Sequence, residues 1–505
     1  MGFIVVTSVP AIGQSVFSSS YGVGYNNISW VRGVANPDGG FSISARPTDS
    51  TLTSFASSLL TIDSAGDPIS AVRYEHGNSD LTTSMFHSAD GHLFIGAMGA
   101  GPLAVQNALV RKCDGAGNVE WAKAYAHQGA TETPFFDMVQ IGSGDLIGVG
   151  KSDGGGDPDN PMLFRLDQSG NVIWAEQLSN DSAGIQCLAL APSPFGGVYL
   201  AGRYAPTGLL RMVLMHIDDQ GAVLWAKWFG STTVHCGADR VIVDPWSGLV
   251  LLGTRMNSGP GDGVAIRTDL DGNPASMFTW GTALKAGHAF ADGSLMLMSE
   301  NSDDCVFGRI APDLGVDWNV DIEAGPDGQL IPFDEATRFA YVSSLMFSDV
   351  TVHTLTALCQ TCSPGIPGFN TATDVWLDHG PMLVGVSPVQ LLSIDVPMTQ
   401  TSVIMTRSAI CSADFTGVPD RYVAEVSRCG VDRRSGSVIL SDDLAPGAEV
   451  RIADAFGHQW ISGPNGTGNA GGTTVPWPAT LSAGVYTASW LRGSERKACA
   501  FVHVH

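Results

Sequence analysis

Basic residues are scarce. Lys and Arg number 26 in 505 residues, against 49 Asp and Glu, for a formal net charge of −23. A surface of that sign repels phosphate backbones and anionic headgroups, so nucleic acid is excluded as a partner. Beyond the first residues no apolar run approaches the roughly 18 residues that a membrane-spanning helix needs, so the chain reads as not membrane-spanning. Windows free of Gly and Pro are also few, with 61 Gly and 27 Pro, which excludes a helical protein and points to an all-β chain. Cysteines number nine and are scattered. Cys113, Cys187, Cys236 and Cys305 read as isolated buried thiols. In the later group of Cys359, Cys362, Cys411 and Cys429 only the first two are close, short of the two close pairs of a zinc ribbon, which leaves disulfides or buried thiols.

What is present is a repeat. Leu163 to Leu178 reads as strand, turn and strand: Asp167 can bond its own downstream backbone, and Gly170 can take the positive φ of a tight reversal. Simple alternation after the turn places Val172 and Trp174 on one face and Ile173 on the other. The same unit recurs with Asp114, Gly117 and Trp121, and with Asp218, Gly221 and Trp225; weaker copies start at Ile62, Thr268 and Ile310. Between these units falls a Gly-rich reversal that leads into an apolar strand. Its glycines, Gly39, Gly91, Gly144, Gly196, Gly248 and Gly293, are spaced by 52, 53, 52, 52 and 45 residues, with a degenerate seventh copy at Asp334–Tyr341.

A period near 50 carrying four short strands is the signature of a propeller blade, and seven reversals imply a seven-bladed β-propeller over residues 15–358. Neighbouring blades must stack and the ring must close. The segment Val16–Tyr21 is therefore expected as the outermost strand of the last blade, beside Thr351–Leu358. Trp121, Trp174, Trp225 and Trp318 follow the period, with Ser70 and Ser276 in the same place, and read as packing between blades rather than as a sugar platform. Beyond Leu358 the period stops, and residues 359–432 read as a linker or small β connector. Residues 433–505 carry alternating β-like runs separated by turn formers, as a C-terminal β-sandwich needs. Residues 1–14 read as a signal peptide lacking its basic start, or else as a plain N-terminal strand.

Two resemblances follow from these residues. The alternation of Gly-rich reversal, apolar strand and Asp-x-x-Gly-Asn-x-x-Trp hairpin resembles the propeller repeats of exported bacterial surface proteins. The C-terminal region resembles the sorting domain of the type IX secretion system of the Bacteroidota. Asp454 and Gly457 match its Asp-x-x-Gly turn, and Leu481, Gly484 and Tyr486 match its Leu-x-x-Gly-x-Tyr step. The opening Asn-Pro of such domains is absent, and Gly463–Gly472 is a Gly-rich expansion. This resemblance implies export, with the secretion or outer-membrane machinery as the partner of the C-terminal domain.

Catalytic motifs are nearly matched but not met. Gly150-Lys151-Ser152-Asp153-Gly154 fits the Gly-x-Ser-x-Gly elbow but lacks the helix that must follow, and Asp145 stands where a phosphate loop needs glycine. Asp153, Asp157 and Asp159 crowd one loop and suggest calcium as the single metal to consider, although their spacing is not that of an EF-hand; otherwise no cofactor is expected. The expected function is a secreted or cell-surface, non-catalytic propeller that binds a surface glycan or protein, or serves a structural role. Two alternatives stand beside it: an accessory component of the secretion machinery that retains its C-terminal domain, and a secreted hydrolase or lyase acting on polysaccharide.

Overall fold

A computed structural model describes residues 14–503, leaving out 416–429 and a set of shorter segments, among them 154–159, 257–260, 357–365, 441–449 and 477–483. The chain divides into two compact units, Val16–Ser412 and a second built on the chain from Ala413.

The first unit contains seven antiparallel sheets. Their inner strands are Asn27–Ala35, Asp80–His87, Phe135–Gln140, Ile185–Pro192, His235–Asp244, Leu284–Ala289 and Gln329–Phe333. Each inner strand touches the next and the seventh touches the first, so the blades close into a ring: a seven-bladed β-propeller. The apolar clusters lie mainly between adjacent blades, as expected for twisted sheets that cannot bury both faces alone. All six reversal glycines have positive φ, from 79° at Gly293 to 142° at Gly248, and they turn each inner strand into its neighbour.

Ring closure joins the two ends of the propeller. Gln14–Gly22 pairs with Asp349–Thr356, with Ser18 opposite His353 and Tyr21 opposite Val350. The strand is not outermost, however, because Thr406–Phe415 pairs outside it.

That extra strand belongs to a feature the sequence reading missed. Residues 366–412 do not form a separate connector. They run backwards round the ring and give every blade a fifth strand: Ile366–Pro367 on blade 6, Ala372–Asp374 on blade 5, Asp378–Pro381 on blade 4, Gly385–Pro388 on blade 3, Leu391–Asp395 on blade 2, Thr399–Ser402 on blade 1 and Thr406–Phe415 on blade 7. This strap has a seven-residue period, one heptad per blade. The N–H groups of Met382, Val389, Val396 and Val403 donate to the carbonyls of Ala226, Ala175, Ala122 and Ala71. Those four residues, and Val384, Leu391, Met398 and Met405 two positions on, face the blade clusters, while most residues between them are exposed. Each acceptor alanine follows the repeat tryptophan or its equivalent, a place where a larger side chain would crowd the strap.

The second unit contains two four-stranded antiparallel sheets. One holds Gly430–Asp432, Ser437–Leu440, Gly466–Thr467 and Thr473–Pro476; the other holds Val450–Asp454, Gln459–Ser462, Gly484–Arg492 and Glu495–His503.

Closure creates a pH-sensitive contact. His353 is buried and its Nδ1 lies 2.7 Å from Ser18 Oγ. Burial lowers its pKa from 6.5 to about 4. The unfolded chain therefore binds the proton more readily, so the contribution is complete above pH 6.5 and is lost as pH falls towards 4, with a full loss on the order of 3 kcal/mol. His353→Gln is expected to flatten the dependence of Tm on pH between 7 and 4.5, measured by calorimetry; an unchanged slope would show that His353 titrates normally.

Candidate functional site

The repeat residues singled out in the sequence build scaffold. In the opening hairpin Asp167 Oδ1 accepts the N–H groups of Ser169 and Asn171, each at 2.8 Å, and Asn171 Nδ2 donates to Asp167 Oδ2 at 2.9 Å. Asp114 and Asp218 accept the corresponding backbone N–H groups in their turns, and Asn118 Nδ2 donates to Asp114 Oδ2 as well. At Asp114 the bond from the Asn118 side chain, followed by backbone donors, holds the carboxyl below its usual range. Gly117, Gly170 and Gly221 take φ of 86°, 75° and 88°.

Tryptophans cover Gly170 and Gly221 across the blade boundary. A Cβ on Gly170 would meet the Trp121 ring at 2.8 Å, and one on Gly221 would meet Trp174 at 3.4 Å. Trp174 Nε1 donates to Asp219 O at 2.9 Å, and Trp121 Nε1 to Gln168 O at 3.2 Å. Tyrosines complete the joint: Tyr21, Tyr74 and Tyr125 donate to the carbonyls of Gly66, Gly117 and Gly170 in the following blade. Trp225 lies against Gly272 in the same way, and Trp318 holds the equivalent register position opposite Arg309. In blade 7 Phe17 takes the place of Trp, against Gly66.

One local expectation fails. Ile173 is an extra residue between the pairs Arg165↔Trp174 and Leu166↔Val172. This bulge sends Val172 and Trp174 to opposite faces, Val172 towards the preceding blade and Trp174 towards the next. The equivalent shift occurs before Trp121, Trp225 and Trp318.

Ser152 bonds His127 Nδ1 at 2.7 Å, a Ser–His pair, but the serine is fully buried at the end of Leu146–Ser152 and no substrate can reach it. Asp153 Oδ1 accepts the N–H groups of Thr131 and Glu132, at 2.8 and 3.0 Å, and is committed to that loop; Asp157 and Asp159 lie outside the described residues. Among the described residues no cluster of His, Cys, Asp or Glu suits a metal ion. Cys113, Cys187, Cys236 and Cys305 are buried free thiols, and burial raises the thiol pKa of Cys113 and Cys236 to about 11. Asp454 ends its strand opposite Tyr486, and Gly484 opens the strand that carries Tyr486. Gly457, Leu481 and residues 1–13 lie outside the described residues.

The site that the structure assembles is the central channel, on positions the sequence reading did not single out. Six inner strands carry one extra residue each, in blade 1 at Trp30–Val31 and then at Thr83, Phe136, Leu188, Asp239 and Lys285. Such bulges re-aim side chains. Trp30, Thr83, Phe136, Leu188, Asp239 and Lys285 line one cavity of about 350 Å³ with Arg32, Arg240, Glu300 and Gly328. The bulges precede the reversal glycines by eight or nine residues, which places the cavity towards the face of the variable loops. A second cavity of about 470 Å³ shares Arg32, Thr83 and Arg240 and extends towards His87, Asp137 and Gln140.

Among the described residues three carboxylates line the two cavities. Asp239 is paired with Arg203. Asp137 accepts Leu190 N at 2.9 Å and Met138 N at 2.8 Å; burial raises its pKa, partly offset by the Arg240 charge and these bonds. Glu300 lines the upper cavity from the end of Leu295–Glu300.

No family model and no curated protein matches the chain. Solved structures similar to it include a protein of unknown function from Dyadobacter fermentans, with 10% identity, a TM-score of 0.39, and coverage of 67% of this chain and 98% of the other. An α-L-arabinanase from Penicillium chrysogenum complexed with arabinobiose gives 11% identity, a TM-score of 0.39, and coverage of 68% and 98%. A eukaryotic initiation factor gives 8%, 0.35, and coverage of 72% and 98%. The assignment of seven blades rests on the sheets themselves.

The joint makes a direct prediction. Trp174→Ala should lower stability by roughly 2–4 kcal/mol, somewhat under the range for a fully buried Trp, because the ring is half-buried. Denaturant melts read the loss, and any ligand of the channel should bind the folded variant as it binds the native chain.

Proposed function

We propose that the chain is an exported, non-catalytic binding propeller whose ligand enters the bulge-lined end of the channel. The observation that carries this reading is a contrast between positions. The turn and joint positions repeat the same chemistry in successive blades, whereas the equivalent bulge positions hold Trp30, Thr83, Phe136, Leu188, Asp239 and Lys285. A scaffold needs uniformity at its joints, while recognition needs a few different groups aimed at one cavity. The match of Asp454, Gly457, Leu481, Gly484 and Tyr486 to the type IX sorting pattern supports export. On this reading the two C-terminal sheets are the halves of a sorting sandwich, and the secretion machinery is its partner. Fractionation of the native host with intact-mass measurement tests it: the protein is expected outside the cell or on its surface, shortened by the residues beyond about 430. A full-length protein held with the outer-membrane machinery would instead support the accessory-component reading.

One observation favours a second reading, a polysaccharide hydrolase or lyase: Asp137, Asp239 and Glu300 reach the channel from three blades. The first two are already engaged by backbone donors and by Arg203, which weakens them as a general acid and base. Purified protein is therefore expected to release no reducing ends or unsaturated products from a polysaccharide panel. Turnover abolished by Asp137→Asn would replace the binding reading with the catalytic one.

A further inference from the structure

Trp30 differs from every other aromatic in the ring. It is the one non-glycine with positive φ among the described residues, at 54°, and 39% of its surface is exposed. A left-handed backbone is costly for a bulky residue, and such strain persists where the surroundings hold it in place, often at ligand sites. Here the bulge holds the indole against the cavity, with the Arg32 guanidinium 6.0 Å from the ring centroid.

The charges around Trp30 narrow the ligand. Lys285 lines the same cavity, and among the described residues its ammonium has no ion-pair or hydrogen-bond partner, while Arg240 donates to the carbonyl of Asp239 at 3.2 Å. The acids are placed differently, since Asp239 is paired with Arg203 and offers its remaining acceptor capacity rather than a free charge. An aromatic face, an unpaired ammonium and carboxylate acceptors suit a molecule with a flat C–H face, one negative charge and several hydroxyl donors. A phosphate dianion fits less well beside Asp137, Asp239 and Glu300 in a chain of net charge −23.

We infer that the bulge-lined cavity binds an acidic saccharide, with a uronate ring stacked on Trp30 and its carboxylate on Lys285. The inference rests on the channel-binding reading above and adds the chemical class. A cavity of about 350 Å³ holds one or two sugar rings, which makes this an end or side-group site rather than a groove for a long chain. Asp239 and Thr83 supply acceptors for the hydroxyl edge.

The test titrates the full chain by calorimetry with disaccharides of galacturonate, glucuronate and mannuronate, with their methyl esters, and with neutral disaccharides. At least one acid should bind ten times or more tightly than its ester. Lys285→Ala should remove that preference, and Trp30→Ala should weaken acid and ester together by tenfold or more. Trp30→Gly relieves the backbone strain while deleting the platform, so its Tm should equal or exceed that of the native chain as binding disappears. A native chain that binds ester and acid equally, or a Lys285→Ala variant that keeps the preference, overturns the acidic class. Neutral disaccharides that bind as tightly as the acids in a Trp30-dependent way overturn it as well but leave the channel-binding reading standing. Failure of every saccharide to bind overturns this inference, whereas binding of another ligand class that is lost in Trp30→Ala would leave the channel-binding reading standing.

Discussion

The fold depends on a contact between blades rather than on any blade by itself. A twisted four-stranded sheet has two apolar faces and no way to cover both, so each blade is completed by its neighbour. The contact that fixes this stacking is an aromatic ring laid over a turn glycine: Trp121 over Gly170, Trp174 over Gly221 and Trp225 over Gly272, with Phe17 over Gly66 where the ring closes. Glycine serves there for its positive φ, and at Gly66, Gly170 and Gly272 also because a Cβ would strike the ring. Tyrosine hydroxyls seal the same boundary by bonding the glycine carbonyls of Gly66, Gly117 and Gly170. A joint of this kind also sets the angle between blades, and thereby the width of the channel.

Division of labour follows from topology. Both tight turns of each blade lie at one end of the ring, since they join alternate pairs of antiparallel strands. The longer and less regular connections lie at the other end, and so do the inner-strand bulges. The uniform end builds the ring, which leaves the other free to vary without disturbing the joint.

Much of the propeller was legible in the sequence because its signals are local. An Asp that caps its own turn, a glycine three residues later and a tryptophan four beyond that are all set by backbone geometry within one hairpin. The spacing of Gly39, Gly91, Gly144, Gly196 and Gly248 then counts the blades. The face of Trp174 was misread because alternation assumes one residue per pleat, and Ile173 breaks that rule without leaving any mark in composition. The channel residues were missed for a related reason. Trp30, Thr83, Leu188 and Lys285 occupy equivalent positions yet share no chemistry, so no motif search gathers them; only their offset of eight or nine residues from the reversal glycines does. The strap was hidden by scale. Its period of seven is clear from Asp378 to Met405, but a heptad invites comparison with helices, whereas here four or five residues pair with a blade and two or three step across to the next.

The backward course of the strap bears on how the chain can fold. Its pairings begin near in sequence, at Val320↔Pro367, and grow steadily more distant, through Phe229↔His379 and Leu178↔Val386 to Tyr74↔Gln400. Formed independently, the last of these would require closing a loop of hundreds of residues. Formed in order on an assembled ring, each requires only that the next seven residues settle beside a segment already docked, and the entropy of closure is set by that short span. The strap can therefore zip from blade 6 round to blade 7, and it can do so only after the ring beneath it exists. Its completion on the blade that also holds the N-terminal strand makes it a late step, one that a chain with a misplaced blade cannot finish.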